Sequence, residues 1–119
     1  MWKPIDLEGL DALLAQELAA CSEEDRAFFH KAACPPGKWR QSPWGDAGGG
    51  FWAVAVWENR VLWYNDIEHG FNISRFSVPG VIPENEYWCN QDELWRALLR
   101  LTGETEAVNF GPPQAIPDP

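Results

Sequence analysis

Eight tryptophans in a chain of 119 residues limit the possible fold more than any other feature. They concentrate in and beside two strand-like segments, residues 51–57 and 61–67. Tryptophan supplies both bulk for a core and contact energy for a recognition surface. A polar and acidic stretch, residues 65–72, overlaps the end of the second segment. The chain must therefore fold around an aromatic sheet that serves as a dense core or as a binding surface.

Length and charge narrow the classes of function. The chain has the size of one folded domain, residues 1–119, and 45% of its residues are hydrophobic. Eighteen acidic side chains against nine basic ones give a net charge of −9, which repels a phosphate backbone and argues against nucleic-acid binding. The same charge favours a basic protein partner, or it simply keeps a tryptophan-rich chain soluble.

The sequence also predicts where the protein resides. No apolar segment has the length of a membrane span, and residues 1–6 do not resemble a signal peptide. The widely spaced Cys21, Cys34 and Cys89 make neither a disulfide framework nor a zinc motif. We therefore expect a cytoplasmic protein with no membrane partner, no metal and no cofactor.

The opening third predicts a helical hairpin over residues 6–34. Asp6 can cap a first helix, whose leucines recur at spacings of three and four, and Ser22 can cap a second. Pro35 and Pro36 must end the second helix, because proline lacks an amide donor and clashes with the preceding turn.

Residues 38–78 predict an antiparallel sheet. Its expected strands are 38–44 (an edge strand weakened by proline), 51–58, 61–67 and 71–78. A two-residue turn at Asn59-Arg60 gives a register that puts five apolar residues on one face: Trp52, Val54, Val56, Trp63 and Ile67. The opposite face is apolar too. Helices are expected to cover one face, and a loop, the C-terminal tail or a partner the other.

A last helix is predicted over residues 90–102, with Asn90 as its N-cap and Glu93 in the reciprocal capping position. Residues 103–119 are rich in proline and predict an irregular tail, either free or laid over apolar surface. The fold class is therefore α+β. It comprises a helical hairpin, a three- to four-stranded antiparallel meander and a C-terminal helix packed on the sheet.

The polar stretch that follows the tryptophan-bearing strand is the strongest functional candidate. Carboxylates near a histidine can bind a cation or perform acid–base chemistry. Alternatively, Asx side chains satisfy the backbone of a turn, and Gly70 permits its unusual dihedral angles. If the stretch is a contact surface, the predicted partner-binding residues are Trp63, Tyr64, Asn65, Asp66, Glu68, His69 and Asn72.

The chain resembles a group of small, mostly uncharacterised bacterial proteins in the run Trp63-Tyr64-Asn65-Asp66-Ile67-Glu68-His69-Gly70-Phe71-Asn72 and in residues 87–94. Some members of that group look like immunity proteins of toxin systems. The similarity covers about residues 51–101 and brings no catalytic motif. It implies a cytoplasmic, non-enzymatic protector that binds and blocks a toxin.

Three hypotheses about function follow. In the leading one, the protein binds a basic protein partner, which acidic residues steer and aromatic residues hold. In the second, it is a small hydrolase or metal-dependent enzyme that uses Asp66, Glu68 and His69, whose side chains must then converge in a concave pocket. In the third, it is a structural module whose aromatic residues are simply buried and which has no small-molecule site.

Overall fold

The computed structural model describes residues 3–102, so the predicted tail, residues 103–119, lies outside the described residues. The helices and strands are α1 (Leu7–Ala19), α2 (Glu23–Ala32), β1 (Ala33–Trp39), β2 (Phe51–Trp57), β3 (Arg60–Asn65), β4 (Gly70–Arg75) and α3 (Leu94–Leu101). The four strands form one antiparallel sheet in the order β1-β2-β3-β4. This arrangement confirms the predicted α+β class and the meander.

The first two helices begin where the sequence predicts. Asp6 Oδ1 accepts a hydrogen bond from Gly9 N at 2.7 Å, and Ser22 Oγ accepts one from Asp25 N at 3.1 Å. Both bonds satisfy amide groups that have no partner within the helix. Because these caps act within a few residues, the sequence alone locates them.

The first strand begins earlier than predicted. Helix α2 ends at Ala32, and β1 starts at Ala33 rather than at residue 38. Its two prolines fall between Ala33 and Gly37, where the register with β2 is irregular. Proline is tolerated there because β1 is the edge strand and the irregular ladder does not need every amide.

The predicted start of the last helix is wrong. Asn90 does not cap α3. The helix begins at Leu94 after Glu93, whose side chain makes no capping bond. The buried amide of Leu94 instead donates to Glu17 Oε1 of α1 at 2.8 Å. A carboxylate from 77 residues away therefore supplies the cap, which no local pattern could indicate.

The predicted register between β2 and β3 is also wrong. The connection is Glu58-Asn59, so Trp57 pairs with Arg60, and Glu58 takes the positive φ of 56°. A further register shift lies between Ala53 and Ala55. Such a bulge reverses the faces of the residues before it. Trp52 therefore packs on the opposite face from Trp63 rather than on the same one.

The helices cover one face of the sheet. Helix α3 contacts β3 and β4, α1 contacts α3, and α2 contacts both α3 and β2. The core on this side includes Leu10, Leu14, Leu62, Tyr64, Phe71, Leu94 and Leu98. These large side chains are all nearly or completely buried.

The second face of the sheet is covered by the chain's own residues 76–92, here called the covering segment. Ile82 and Tyr87 of this segment are buried against Phe51 and Trp63 of the sheet. Of the three covers that the sequence left open, the loop is therefore the one observed. A long irregular segment needs partners for its backbone groups, and several of those partners are side chains of β3 and β4, such as Asn65, Asn72 and Ser74.

Candidate functional site

The two aromatic residues of the predicted contact strip are buried on opposite faces of the sheet. Trp63 is 0% exposed, lies 4.8 Å from Phe51 between ring centres, and donates its indole N–H to Ser74 Oγ at 2.8 Å. Tyr64 packs on the helix side, 5.0 Å from Phe71. Burial, with a smaller contribution from the Asp66 carboxylate, raises the pKa of Tyr64. Trp63 is closed to a partner, and Tyr64 reaches the surface only as part of the lining of a small cleft.

Asn65 joins β3 to the covering segment. Its Nδ2 donates to the carbonyl oxygen of Trp88 and to the hydroxyl of Tyr87, each at 3.0 Å. Its Oδ1 accepts from the amides of Ile67 at 3.1 Å and Glu68 at 3.2 Å. The buried carboxamide therefore both closes the turn after β3 and holds the segment that covers the second face.

Asn72 pairs with Asn90 of the covering segment as a strand would. Its Nδ2 donates to the carbonyl oxygen of Asn90 at 3.0 Å, and its Oδ1 accepts from the Asn90 amide at 2.9 Å. The segment passes so close that a Cβ on Gly70 would lie 2.3 Å from Gln91 Cα. Gly70 is therefore required for close approach of two backbones, and not for an unusual dihedral angle.

Asp66 holds the residues that precede α1. Its Oδ2 accepts from the Ile5 amide at 2.7 Å, and the indole N–H of Trp52 donates to the Ile5 carbonyl at 2.8 Å. Asp66 is 7% exposed. A carboxylate that was predicted to meet a partner thus fixes the start of the chain on the sheet.

Glu68 and His69 are the predicted contact residues that solvent reaches. Glu68 is half-buried near Cys89, and burial, followed by the charge of Glu68, raises the pKa of that thiol. His69 is exposed and has a φ of 59°. The strip as predicted is therefore not one exposed surface, because five of its seven side chains are inside: Trp63, Tyr64, Asn65, Asp66 and Asn72.

Asp66, Glu68 and His69 have different surroundings in the structure. Asp66 contacts the residues before α1, Glu68 lies beside Cys89, and His69 lines a separate cleft. Within residues 3–102, no group of three histidine, cysteine, aspartate or glutamate side chains is placed to hold a metal ion. The hydrolase or metal-enzyme hypothesis, which requires the three side chains to converge in one pocket, stays a prediction.

A shallow concavity of about 90 Å³ lies where α1, the β3–β4 turn and the start of α3 meet. Three carboxylates line it, those of Glu17, Asp92 and Glu93, with His69 and Gln91 at the exposed rim. We call these five residues the acidic cleft. Sequence analysis missed its carboxylates as a group, because α1 and α3 are brought together only by the tertiary fold.

One cation partly offsets the charge of the acidic cleft. Arg100 lies 2.7 Å from Asp92 Oδ2, and both side chains are largely buried. Glu17 accepts the amide of Leu94. Glu93 is exposed and makes no capping bond. Of the three carboxylates of the cleft, Glu93 is therefore the one that is exposed to solvent.

A second, larger groove of about 280 Å³ lies between two extended segments, residues 40–42 and 81–84. The segments are joined by hydrogen bonds of 2.8 Å from Arg40 N to the Gly80 carbonyl and from Ile82 N to the Arg40 carbonyl. Arg40 and Glu84 put one charge of each sign on its lining. The groove therefore has no net preference for a cation or an anion.

Charge is segregated along the chain and in the fold. Residues 4–25 contain seven carboxylates and no lysine or arginine. We call this stretch, which includes α1 and the first turn of α2, the acidic helices. Glu8, Asp11, Glu23 and Glu24 are all exposed there. Because the stretch contains no lysine or arginine, these carboxylates have no cation within it to neutralise them.

Many of the cations, in contrast, contact groups of the same chain. Arg26 donates to the carbonyl oxygens of Leu18 at 3.2 Å and Cys21 at 2.6 Å, which ends α1. The ammonium groups of Lys31 and Lys38 lie over the rings of Trp57 and Trp52, at 5.3 and 5.1 Å from the ring centres. Arg75 pairs with Glu86 at 3.1 Å. Contacts with carbonyl groups and rings leave the positive charges in place, and the excess of negative charge comes from the eighteen acidic side chains against nine basic ones.

Several large apolar side chains are nevertheless exposed. Trp95 and Leu99 lie four residues apart on α3, and each is 36% exposed. Residues at this spacing share one helix face. The guanidinium carbon of Arg96 lies 5.1 Å from the centre of the Trp95 ring. These two apolar residues form what we call the α3 outer pair.

Comparison with known proteins gives no relative: no protein-family model, curated protein or solved structure matches the chain significantly. The resemblance to small bacterial proteins thus stays a prediction. Among residues 3–102, no helix has the length and apolar character needed to span a membrane.

Proposed function

We propose that this protein is a cytoplasmic, non-enzymatic binding domain that recognises a basic protein partner through the acidic helices. The observation that carries the proposal is the segregation of charge. Seven carboxylates lie between residues 4 and 25 without a cation, while cations such as Arg26, Lys31 and Lys38 contact groups of their own chain.

A surface of this kind acts mainly on the rate of association. Like-signed side chains on neighbouring turns add their potentials, and an approaching cationic surface is steered toward them. The same field disfavours nucleic acid, whose backbone is also negative. A basic protein is therefore the macromolecule that this charge distribution suits best.

In its more specific form, the proposal is that the protein is an immunity-type inhibitor, which binds and blocks a toxin. This form comes from the resemblance of the run Trp63–Asn72 to small bacterial proteins. The structure contributes a constraint to it: buried side chains of that run hold the fold together, so the inhibitory contact would be made elsewhere on the surface.

Affinity capture with matched charge variants tests the proposal. One variant carries Glu8→Gln and Asp11→Asn, on the exposed surface of α1. The control carries Glu58→Gln and Glu84→Gln, which are also exposed and change the net charge equally. The wild type and the control should retain a protein of net positive charge from the native cell, and the α1 variant should retain less of it.

Two results would contradict the proposal. One is retention of an acidic protein as the principal partner. The other is equal yield of a basic partner with the α1 variant and with the control, because the charge of the acidic helices would then not matter.

A further inference from the structure

We propose that the chain's own residues 103–110 cover the α3 outer pair, with Val108 packed on Leu99 and Phe110 packed on Trp95. This contact goes beyond the proposed function and does not depend on it, because it involves no partner protein. It gives the exposed side of the last helix an occupant from the same chain.

Helix α3 is apolar on two sides. Its inner side is buried to 1% exposure or less: Leu94, Ala97, Leu98 and Leu101. Trp95 and Leu99 lie outside that buried set, and each is 36% exposed. Apolar surface in contact with water is unfavourable, so a segment that covers it gains free energy. The helix therefore offers a surface to an apolar segment within reach.

A segment within reach begins directly after the helix. Helix α3 ends at Leu101 with Thr102 as its C-cap, and Gly103 follows. Glycine at the position after a C-cap is the residue type that most often turns the chain away from the helix axis. A tight turn takes about four residues. A chain that reverses over residues 103–106 therefore runs back along α3 from residue 107 onward.

The spacing of apolar residues matches between the helix and this segment. Trp95 and Leu99 are four residues apart, which separates them by about 6 Å along the axis of a helix. Val108 and Phe110 are two residues apart, and in an extended chain such residues share one side at a separation of about 6.6 Å. A returning chain reaches Leu99 with Val108 and Trp95 with Phe110. One extended segment can therefore make both contacts at once.

The charge of the helix agrees with an acidic occupant. Helix α3 contains Arg96 and Arg100 and no carboxylate. Arg100 lies 2.7 Å from Asp92, whereas Arg96 is exposed and its guanidinium carbon lies 5.1 Å from the centre of the Trp95 ring. Residues 103–119 carry three acidic side chains and no lysine or arginine. The cation beside Trp95 therefore attracts this segment.

Two other occupants fit this face less well. A basic partner would bring its cations to Arg96, where like charges repel. A second copy of the chain carries the same net charge of −9, so its approach is opposed. The chain's own segment is instead joined to α3 through Thr102, and a tethered segment acts at a high effective concentration.

Nuclear magnetic resonance of the full, isotope-labelled chain tests the contact. We expect nuclear Overhauser effects between the Phe110 ring and the Trp95 indole, and between the methyl groups of Val108 and Leu99. The amide of Val108 should have an order parameter of about 0.85, as in a rigid backbone. Absence of these effects, with a Val108 order parameter below about 0.6, would overturn the proposal.

Matched variants of the segment show whether its apolar contact holds it in place. Phe110→Ala removes the ring that meets Trp95, and Ile116→Ala removes an apolar side chain that makes no contact in the proposed arrangement. Phe110→Ala should shift the Trp95 indole resonance and lower the Val108 order parameter below about 0.6. Ile116→Ala should change neither. Equal effects of the two variants would contradict the assignment of Phe110.

The contribution of charge is tested on the helix. Arg96→Gln removes the exposed cation beside Trp95, and Arg40→Gln removes another exposed arginine as the control. Arg96→Gln should lower the Val108 order parameter, and Arg40→Gln should not. The same order parameter in both variants would refute the selection of this occupant by charge.

A mixture of labelled and unlabelled protein shows which copy supplies the segment. Effects between Phe110 and Trp95 should arise within one chain, and the protein should sediment as a monomer. Effects between chains, together with a dimer, would assign the face to a second copy and overturn the proposal. The proposed function would survive that result, because it rests on the acidic helices and not on α3.

Discussion

At the scale of single residues, three polar side chains replace missing backbone partners. Asn65 and Asn72 hold the covering segment, and Asp66 holds the residues before α1. A buried backbone group without a partner is costly, so an irregular segment laid over a sheet must find donors and acceptors on side chains. The polar stretch was identifiable in the sequence, and its role as a contact surface stays a prediction, with Glu68 and His69 as the members that solvent reaches.

The sequence alone could not distinguish these two roles, for a physical reason. An asparagine that faces a partner and one that faces a covering segment occupy the same kind of position at the end of a strand. The difference depends on residues 76–92, whose path over the sheet has no regular periodicity. Local pattern predicts that such residues are important, while the tertiary fold decides what they bind.

Replacing Asn72 tests its structural role. Asn72→Ala removes the partner of both the amide and the carbonyl of Asn90, so the free energy of unfolding should fall by about 1–3 kcal/mol. Asn59→Ala, in the exposed β2–β3 turn, should change it by less than about 0.5 kcal/mol. Urea denaturation measures both. Similar small effects for the two variants would contradict the structural role of the hydrogen bonds between Asn72 and Asn90.

The two tyrosines predict a specific alkaline behaviour. Burial is the first cause that raises the pKa of Tyr64 and of Tyr87 above the ordinary 10.0. Since the folded state holds these protons more tightly than the unfolded state, their stabilising effect is complete below pH 10 and is lost as the pH rises further. Tyrosinate absorbance should therefore appear together with unfolding. Ionisation of either tyrosine near pH 10 with the fold intact would contradict their burial.

At the scale of secondary-structure elements, the quality of prediction follows the range of the interactions. The caps of α1 and α2 act over three residues, and both were predicted correctly. The start of α3 and the assignment of the β2 side chains to the two faces of the sheet were not predicted correctly. The first depends on Glu17, which lies 77 residues away from Leu94. The second depends on the position of the β2–β3 turn and on a bulge near Val54.

The junction between α1 and α3 can be tested through Glu17. Glu17→Ala leaves the buried Leu94 amide without its acceptor, which should cost about 1–3 kcal/mol of unfolding free energy. Glu17→Gln keeps an acceptor oxygen and loses the favourable charge at the helix start, which should cost about 1 kcal/mol. Gln16→Ala, at an exposed position of α1, is the control. Denaturation showing no difference between Glu17→Ala and the control would refute this cap.

At the scale of the whole molecule, the sheet lies between helices on one face and the covering segment on the other. The tryptophans of the central strands therefore lie mainly in the interior. The outer surface carries mostly negative charge and a few exposed apolar residues. The sequence predicted the α+β class through its caps, turns and apolar spacing, and composition gave the acidic character. It could not predict which aromatic residues stay exposed, because that depends on how the elements pack.

The most direct test of the central claim is the salt dependence of the association rate between this protein and the basic partner obtained by capture. Stopped-flow measurements compare the wild type, Glu8→Gln with Asp11→Asn, and Glu58→Gln with Glu84→Gln over a range of ionic strength. Steering by the acidic helices predicts slower association at low salt for the first variant alone, with the difference vanishing as salt screens the charges. Equal rates for all three proteins at low salt would contradict it.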